Sequence, residues 1–94
     1  METRETLLTR LDAKQQELRA EIEQMEAKAK EKSADAQADL QDRLQTLRAK
    51  RERTQQKIED LRAAGANAWE DAKAGAELAI ADLKNAADSA RSRF

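Results

Sequence analysis

Positions that can line one face of a helix recur every three or four residues along almost the whole chain, and this spacing constrains the fold most strongly. The series runs from Leu11 to Phe94 without a longer step, and most of its members are apolar or small. Such spacing places successive side chains on one side of an α-helix. Proline is absent and glycine occurs only at Gly65 and Gly75, so little in the chain stops a helix. The sequence therefore predicts an all-α protein.

The spacing changes along the chain. Residues 11–25 and 47–68 alternate steps of four and three, which is the heptad spacing of left-handed coiled coils, whereas 68–90 follow an eleven-residue spacing. We expect a long, near-continuous amphipathic helix that forms a coiled coil and passes through both glycines. Gly65 is the most favourable point for a bend.

We divide this helix into two parts. Residues 1–57 form a coiled-coil helix with a stripe of mixed heptad and eleven-residue spacing, and they include a basic block at 43–57. Residues 58–94 form three amphipathic helical repeats of eleven residues, of which the second reads WEDAKAGAELA and the third IADLKNAADSA.

An antiparallel helical hairpin that turns near Ser33, with 66–94 as a further helix, is the alternative. Reflection of the chain about residue 33 pairs Ile22 with Leu44, as antiparallel packing requires. The segment KEKSADAQ around Ser33 contains no Gly, Pro, Asn or Asp-Gly pair of the kind that favours tight turns. We therefore favour the uninterrupted helix, which would associate with other chains.

The apolar stripe needs a second surface to cover it. Burial of a Leu or Ile side chain stabilises by about 1.5–3 kcal/mol, and this is the main stabilising contribution available to a charged, alanine-rich helix. We therefore expect a homo-oligomer or a helical protein partner. The predicted interaction seam consists of Leu11, Leu18, Ile22, Met25, Leu40, Leu44, Leu47, Ile58 and Leu61. A C-terminal contact face of mostly smaller residues consists of Trp69, Ala72, Ala76, Ile80, Leu83 and Phe94.

Charge is unevenly distributed. The net charge is −1, but the block 43–57 contains six basic residues and one acidic residue. An exposed basic stripe is typical of nucleic-acid binding. The candidate polyanion contacts are Arg48, Lys50, Arg51 and Arg53. Because the chain is slightly acidic and this block has no aromatic residue, we favour pairing of these cations with acidic residues of a neighbouring chain and keep nucleic-acid binding as a second alternative.

The side chains that catalysis usually needs are missing. The chain has no His, Cys or Tyr, and its nineteen carboxylates lie among eighteen basic groups. It also has no glycine-rich phosphate loop. We expect no enzymatic activity, cofactor, metal site or small-molecule substrate.

The sequence predicts neither a secretory signal nor a membrane-spanning helix, so we expect a cytoplasmic protein. Trp69, at the edge of the apolar face, could anchor 58–94 on a lipid surface. The polar side of these repeats is not rich in Lys and Arg, so any such contact would be weak and reversible. Peripheral binding to a membrane surface is therefore the first alternative function.

Two family resemblances bear on function. The run AKAKEKSADAQAD at 27–39 and the eleven-residue repeats resemble group 3 late-embryogenesis-abundant proteins. The C-terminal layout, AWEDAKAG followed by DLK and a terminal SRF, is similar to small bacterial coiled-coil stress-response proteins. These resemblances imply a stress-protective role and no catalytic residue. Together with the stripe, they predict a non-enzymatic coiled-coil protein that self-associates or binds a helical partner, with a structural, scaffold or stress-protective role.

Overall fold

The computed structural model describes residues 2–94, which form three α-helices joined by two short connections. Helix α1 spans Arg4–Ala29, α2 spans Ala34–Ala63 and α3 spans Trp69–Arg91, with no strand among the described residues. The helices pack along one another into a bundle of 51 × 17 × 17 Å. The all-α prediction is confirmed.

The first connection turns the chain back at Ser33. The Ser33 side chain accepts a hydrogen bond from the backbone N–H of Ala36 at 3.4 Å and so caps the start of α2. The side-chain amide of Gln37 donates to the carbonyl oxygens of Lys30 and Lys32, at 3.3 and 2.8 Å, and so supplies donors for carbonyls where α1 has ended. This turn therefore needs neither glycine nor proline.

The near-continuous helix that we favoured is wrong, and the chain adopts the hairpin that we gave as the alternative, with a further helix after it. The hairpin covers the apolar side chains of α1 with those of α2 in one molecule. An intermolecular coiled coil would cover the same side chains, but it would also lose the translational and rotational freedom of a second chain.

The second connection lies between Ala63 and Trp69. Ala64 is extended, and Ala68 occupies the N-cap position of α3 without a side-chain hydrogen bond. Our expectation of helix through both glycines fails at Gly65, which lies in this connection, and holds at Gly75, inside α3. The run AAGANA has no large apolar side chain that would hold a continued helix against a neighbour, and glycine disfavours helix by about 1 kcal/mol relative to alanine.

Helix α3 packs differently from the other two helices. Its buried face is mainly alanine, and Ile80 and Leu83 are its only large buried residues. Two ion pairs connect α3 to the hairpin. Lys50 of α2 pairs with Asp82, and Arg91 near the end of α3 pairs with Glu21 of α1. Small side chains allow α3 to lie close to the groove of the α1–α2 hairpin.

Two polar residues, Gln15 and Thr54, lie in this core. The Thr54 hydroxyl is 2.8 Å from the carbonyl oxygen of Lys50 and 3.3 Å from that of Ala79, and so it links α2 to α3. Gln15 is only 7% exposed, and its side-chain nitrogen has no hydrogen-bond partner among residues 2–94. The middle of the bundle therefore contains one satisfied polar group and one that is not.

Candidate interaction surface

The predicted interaction seam lies inside the bundle. None of its nine residues is more than 3% exposed, and helices of the same chain cover all of them. A second molecule could reach the seam only if the helices of the bundle separated. Contact with another chain stays a prediction, and in the folded bundle it has to use a different surface.

The predicted C-terminal contact face is divided between the core and the ends of α3. Its central members Ala76, Ile80 and Leu83 are buried against the hairpin, whereas the remaining ones are partly exposed. These partly exposed residues are Trp69, Ala72 and Phe94.

The Trp69 ring has a partner at the start of α1. The guanidinium carbon of Arg4 lies 4.3 Å from the centroid of this ring, a cation–π contact that joins the first turns of α1 and α3. Trp69 therefore has a contact within the chain.

The predicted polyanion contacts are not one free basic stripe. Arg48 lies 3.3 Å from Glu26 of α1, and Lys50 lies 2.6 Å from Asp82 of α3. Arg51 is partly buried, while Arg53 is exposed. Two of the four cations thus make ion pairs between helices, the kind of pairing that we expected between chains.

The outward side of α3 carries an apolar feature that our sequence interpretation missed. Ala74, Leu78, Ala81 and Asn85 lie opposite the buried face and form a line without charge, which we call the outer stripe. Leu78 is 70% exposed and is the one large hydrophobic residue exposed in the described chain. The helical spacing of the sequence indicates this exposure, because Leu78 falls between the buried positions Ala76 and Ala79.

Charged residues line one edge of the outer stripe, the edge nearest α1. In chain order they are Glu70, Lys73, Glu77, Lys84, Asp88 and Arg91. We call this row the charged edge. Its closeness to α1 is shown by Arg91, which pairs with Glu21 at 2.5 Å. The opposite edge carries two carboxylates, Asp82 and the exposed Asp71, of which Asp82 is paired with Lys50.

Asp88 forms two ion pairs within the charged edge, with Lys84 at 2.8 Å and with Arg91 at 3.7 Å. The Lys84 ammonium donates a hydrogen bond to the Asp88 carboxylate at 2.8 Å. This hydrogen bond lowers the pKa of Asp88 and raises the pKa of Lys84 from their ordinary values. Both side chains are about half exposed, so the pair is open to water and to exchange of partners.

Residues 2–94 contain no group of three or more His, Cys, Asp or Glu residues that could hold a metal ion. None of the helices formed by these residues is long and apolar enough to cross a membrane.

Comparisons of the chain with protein-family models, with curated proteins and with solved structures give no match. The fold and the surface define a small three-helix bundle in which the outer stripe of α3 carries Leu78, the one large hydrophobic residue exposed among residues 2–94.

Proposed function

We propose that this chain is a non-enzymatic helical protein that acts by contact with another α-helix, made through the outer stripe of α3. The exposure of Leu78, at 70%, on an uncharged helix face is the observation that supports this proposal most directly. An apolar line with charges at its edge is the arrangement by which helices bind one another. Single exposed leucines are common on proteins, so the uncharged surroundings of Leu78 matter as much as its exposure.

The neighbours of Leu78 favour close approach of a partner helix. Ala74 and Ala81 flank it one turn away on each side, and their small side chains leave room for a large side chain from the partner. Burial of a leucine contributes about 1.5–3 kcal/mol, and the outer stripe contains only one. The proposed contact is therefore weak and reversible.

A weak contact suits a structural, scaffold or stress-protective role, which is what the two family resemblances imply. By mass action, its occupancy rises with protein concentration and falls on dilution. The proposed compartment is the cytoplasm, which the absence of cysteine fits. No cofactor or metal is part of the proposal.

The two alternative functions have less support from the geometry. Contact of 58–94 with a membrane would use the apolar face of α3, which packs on the hairpin. Contact of the basic block with nucleic acid would require Arg48 and Lys50 to exchange their carboxylate partners for phosphates. The membrane alternative requires α3 to leave the hairpin, and the nucleic-acid alternative requires two ion pairs between helices of the bundle to break.

Site-specific photo-crosslinking tests the proposed function. A photoreactive phenylalanine analogue replaces Leu78 in one variant and Gln45, an exposed residue on the outer side of α2, in the control variant. Irradiation in the native cells should give a protein adduct from position 78 and none from position 45. No adduct at position 78, or equal adducts at both positions, would refute the proposal.

A further inference from the structure

We infer that the partner on the outer stripe is a second copy of this chain, with the two α3 helices side by side and antiparallel. This inference rests on the proposed function and names its partner. The observation that identifies the partner is the order of signs along the charged edge, together with the position of Leu78 within it.

The charged edge is complementary to its own reverse. From the start of α3 its signs run negative, positive, negative, then positive, negative, positive. Reversal about the midpoint between Ile80 and Ala81 brings every charge opposite the other sign. The resulting pairs are Glu70 with Arg91, Lys73 with Asp88, and Glu77 with Lys84.

A symmetric dimer with a two-fold axis would bring these complementary charges together. In an antiparallel pair of identical helices, the same edge of each helix faces the other copy. Residue Glu77 then lies beside the partner's Lys84, and by symmetry Lys84 lies beside the partner's Glu77. In a parallel pair, the charged edge of one copy would instead face the opposite edge of the partner helix, so its charges would have no complementary row.

The apolar positions lie near, but not in, the same alignment. The register that matches the charges leaves Leu78 two residues from alignment with the partner's Ala81, and Ala74 two residues from alignment with the partner's Asn85, an offset of about 3 Å along the helix. A large side chain over a small one, repeated by the two-fold axis, fills the space between two closely spaced helices. The order of charges therefore determines the register, and the apolar side chains meet after a small axial shift.

Two carboxylates of the charged edge form no direct ion pair among residues 2–94, although Arg10 of α1 interacts with Glu77 at longer range. Glu70 and Glu77 form none of the ion pairs found among residues 2–94. Their predicted partners, Arg91 and Lys84, are about half exposed and bound to carboxylates at the surface. Such surface pairs are weak and can rearrange when a second carboxylate approaches.

The size of the surface determines the strength of the dimer. One face of a single helix, with one leucine from each copy, is smaller than the roughly 1,200–2,000 Å² of a stable protein interface. The dimer is therefore weak, is populated at high protein concentration, and weakens with added salt because the charges at its edge are exposed.

Charge exchange tests the inference in purified protein at low salt. Glu77→Lys and Lys84→Glu each place like charges at both contacts of the symmetric dimer. Each variant alone should lower the association constant about tenfold in sedimentation equilibrium. An equimolar mixture of the two variants should regain association to within about threefold of the original protein, because both contacts are attractive in the mixed dimer.

Matched controls separate this effect from loss of fold or net charge. Glu59→Lys makes the same charge change on the outer side of α2 and should leave association within about twofold of the original protein. Circular dichroism verifies that all variants keep their helicity. A mixture that associates no better than its separate components overturns the inference.

The two experiments fail in different ways. If position 78 crosslinks to a different protein and the mixture does not associate, the proposed function stands and the second copy is wrong. If position 78 crosslinks to nothing, the proposed function falls as well. An adduct with twice the mass of the chain, together with recovery in the mixture, supports both.

Discussion

Replacement of Gln15 by leucine should stabilise the bundle. Gln15 belongs to α1 and is nine-tenths buried, yet its side-chain nitrogen has no hydrogen-bond partner in the described chain. Removal of a polar group from water without a new hydrogen bond has an unfavourable free energy of about 1–3 kcal/mol. Leucine has a similar volume and no polar atom, so Gln15→Leu removes this penalty without opening a cavity.

The magnitude follows from these two contributions. Loss of the buried unpartnered amide should raise the free energy of unfolding by about 1–3 kcal/mol, and the added apolar burial acts in the same direction. For a domain of this size, each kcal/mol raises the midpoint of thermal unfolding by about 4–8 °C. We therefore expect Gln15→Leu to raise the midpoint by at least about 4 °C.

Thermal and urea unfolding followed by circular dichroism measure this change. Gln16→Leu is the matched control, since Gln16 is the exposed neighbour of Gln15 and its replacement should change stability by less than about 0.5 kcal/mol. A Gln15→Leu protein that is less stable than the original would refute the reasoning. It would mean that the amide has a hydrogen-bond partner that leucine removes.

Two other predictions concern the turn and the effect of pH. Ser33→Ala removes the N-cap of α2 and should lower the free energy of unfolding by about 1 kcal/mol in urea, whereas Ser89→Ala, at an exposed position inside α3, should not lower it. The lowered pKa of Asp88, caused first by its hydrogen bond from Lys84, means that the folded state favours the ionised carboxylate. Its stabilisation is complete above the ordinary pKa of aspartate and is lost as the pH falls through the lowered value. Asp88→Asn should therefore reduce the loss of stability in acid; an unchanged acid profile would contradict this assignment.

The periodicity of the sequence predicted the nine buried residues of the seam, whereas Trp69, Ala72 and Phe94 of the C-terminal face are only partly buried. Leu18, Ile22, Leu44 and Leu47 all lie in the core, as the three-to-four spacing predicted. The periodicity did not predict whether the same chain or a second chain covers these residues, because a hairpin and an intermolecular coiled coil bury the same stripe. The difference depends on the free energy of one turn, which at Ser33 is made by hydrogen bonds from side chains rather than by glycine.

The outer stripe was harder to predict than the core. Leu78 is next to Ala79 in the sequence, and the three-to-four spacing places Ala79, the smaller residue, on the buried face. A single leucine outside the main stripe is also ordinary on a protein surface. The order of charges along the charged edge can be read from the sequence. It predicts a contact only because these residues share one edge of α3, as the structure shows.

The contact between Arg4 and Trp69 makes the intrinsic tryptophan fluorescence of the bundle sensitive to the packing of α3 on α1. Trp69 is the sole tryptophan of the chain, and its indole lies under a cation from the first turn of α1. Indole emission responds to the polarity and charge around the ring. Separation of α3 from α1 would remove the guanidinium and hydrate the ring, so the emission spectrum of the unmodified protein reports this one movement without any added label.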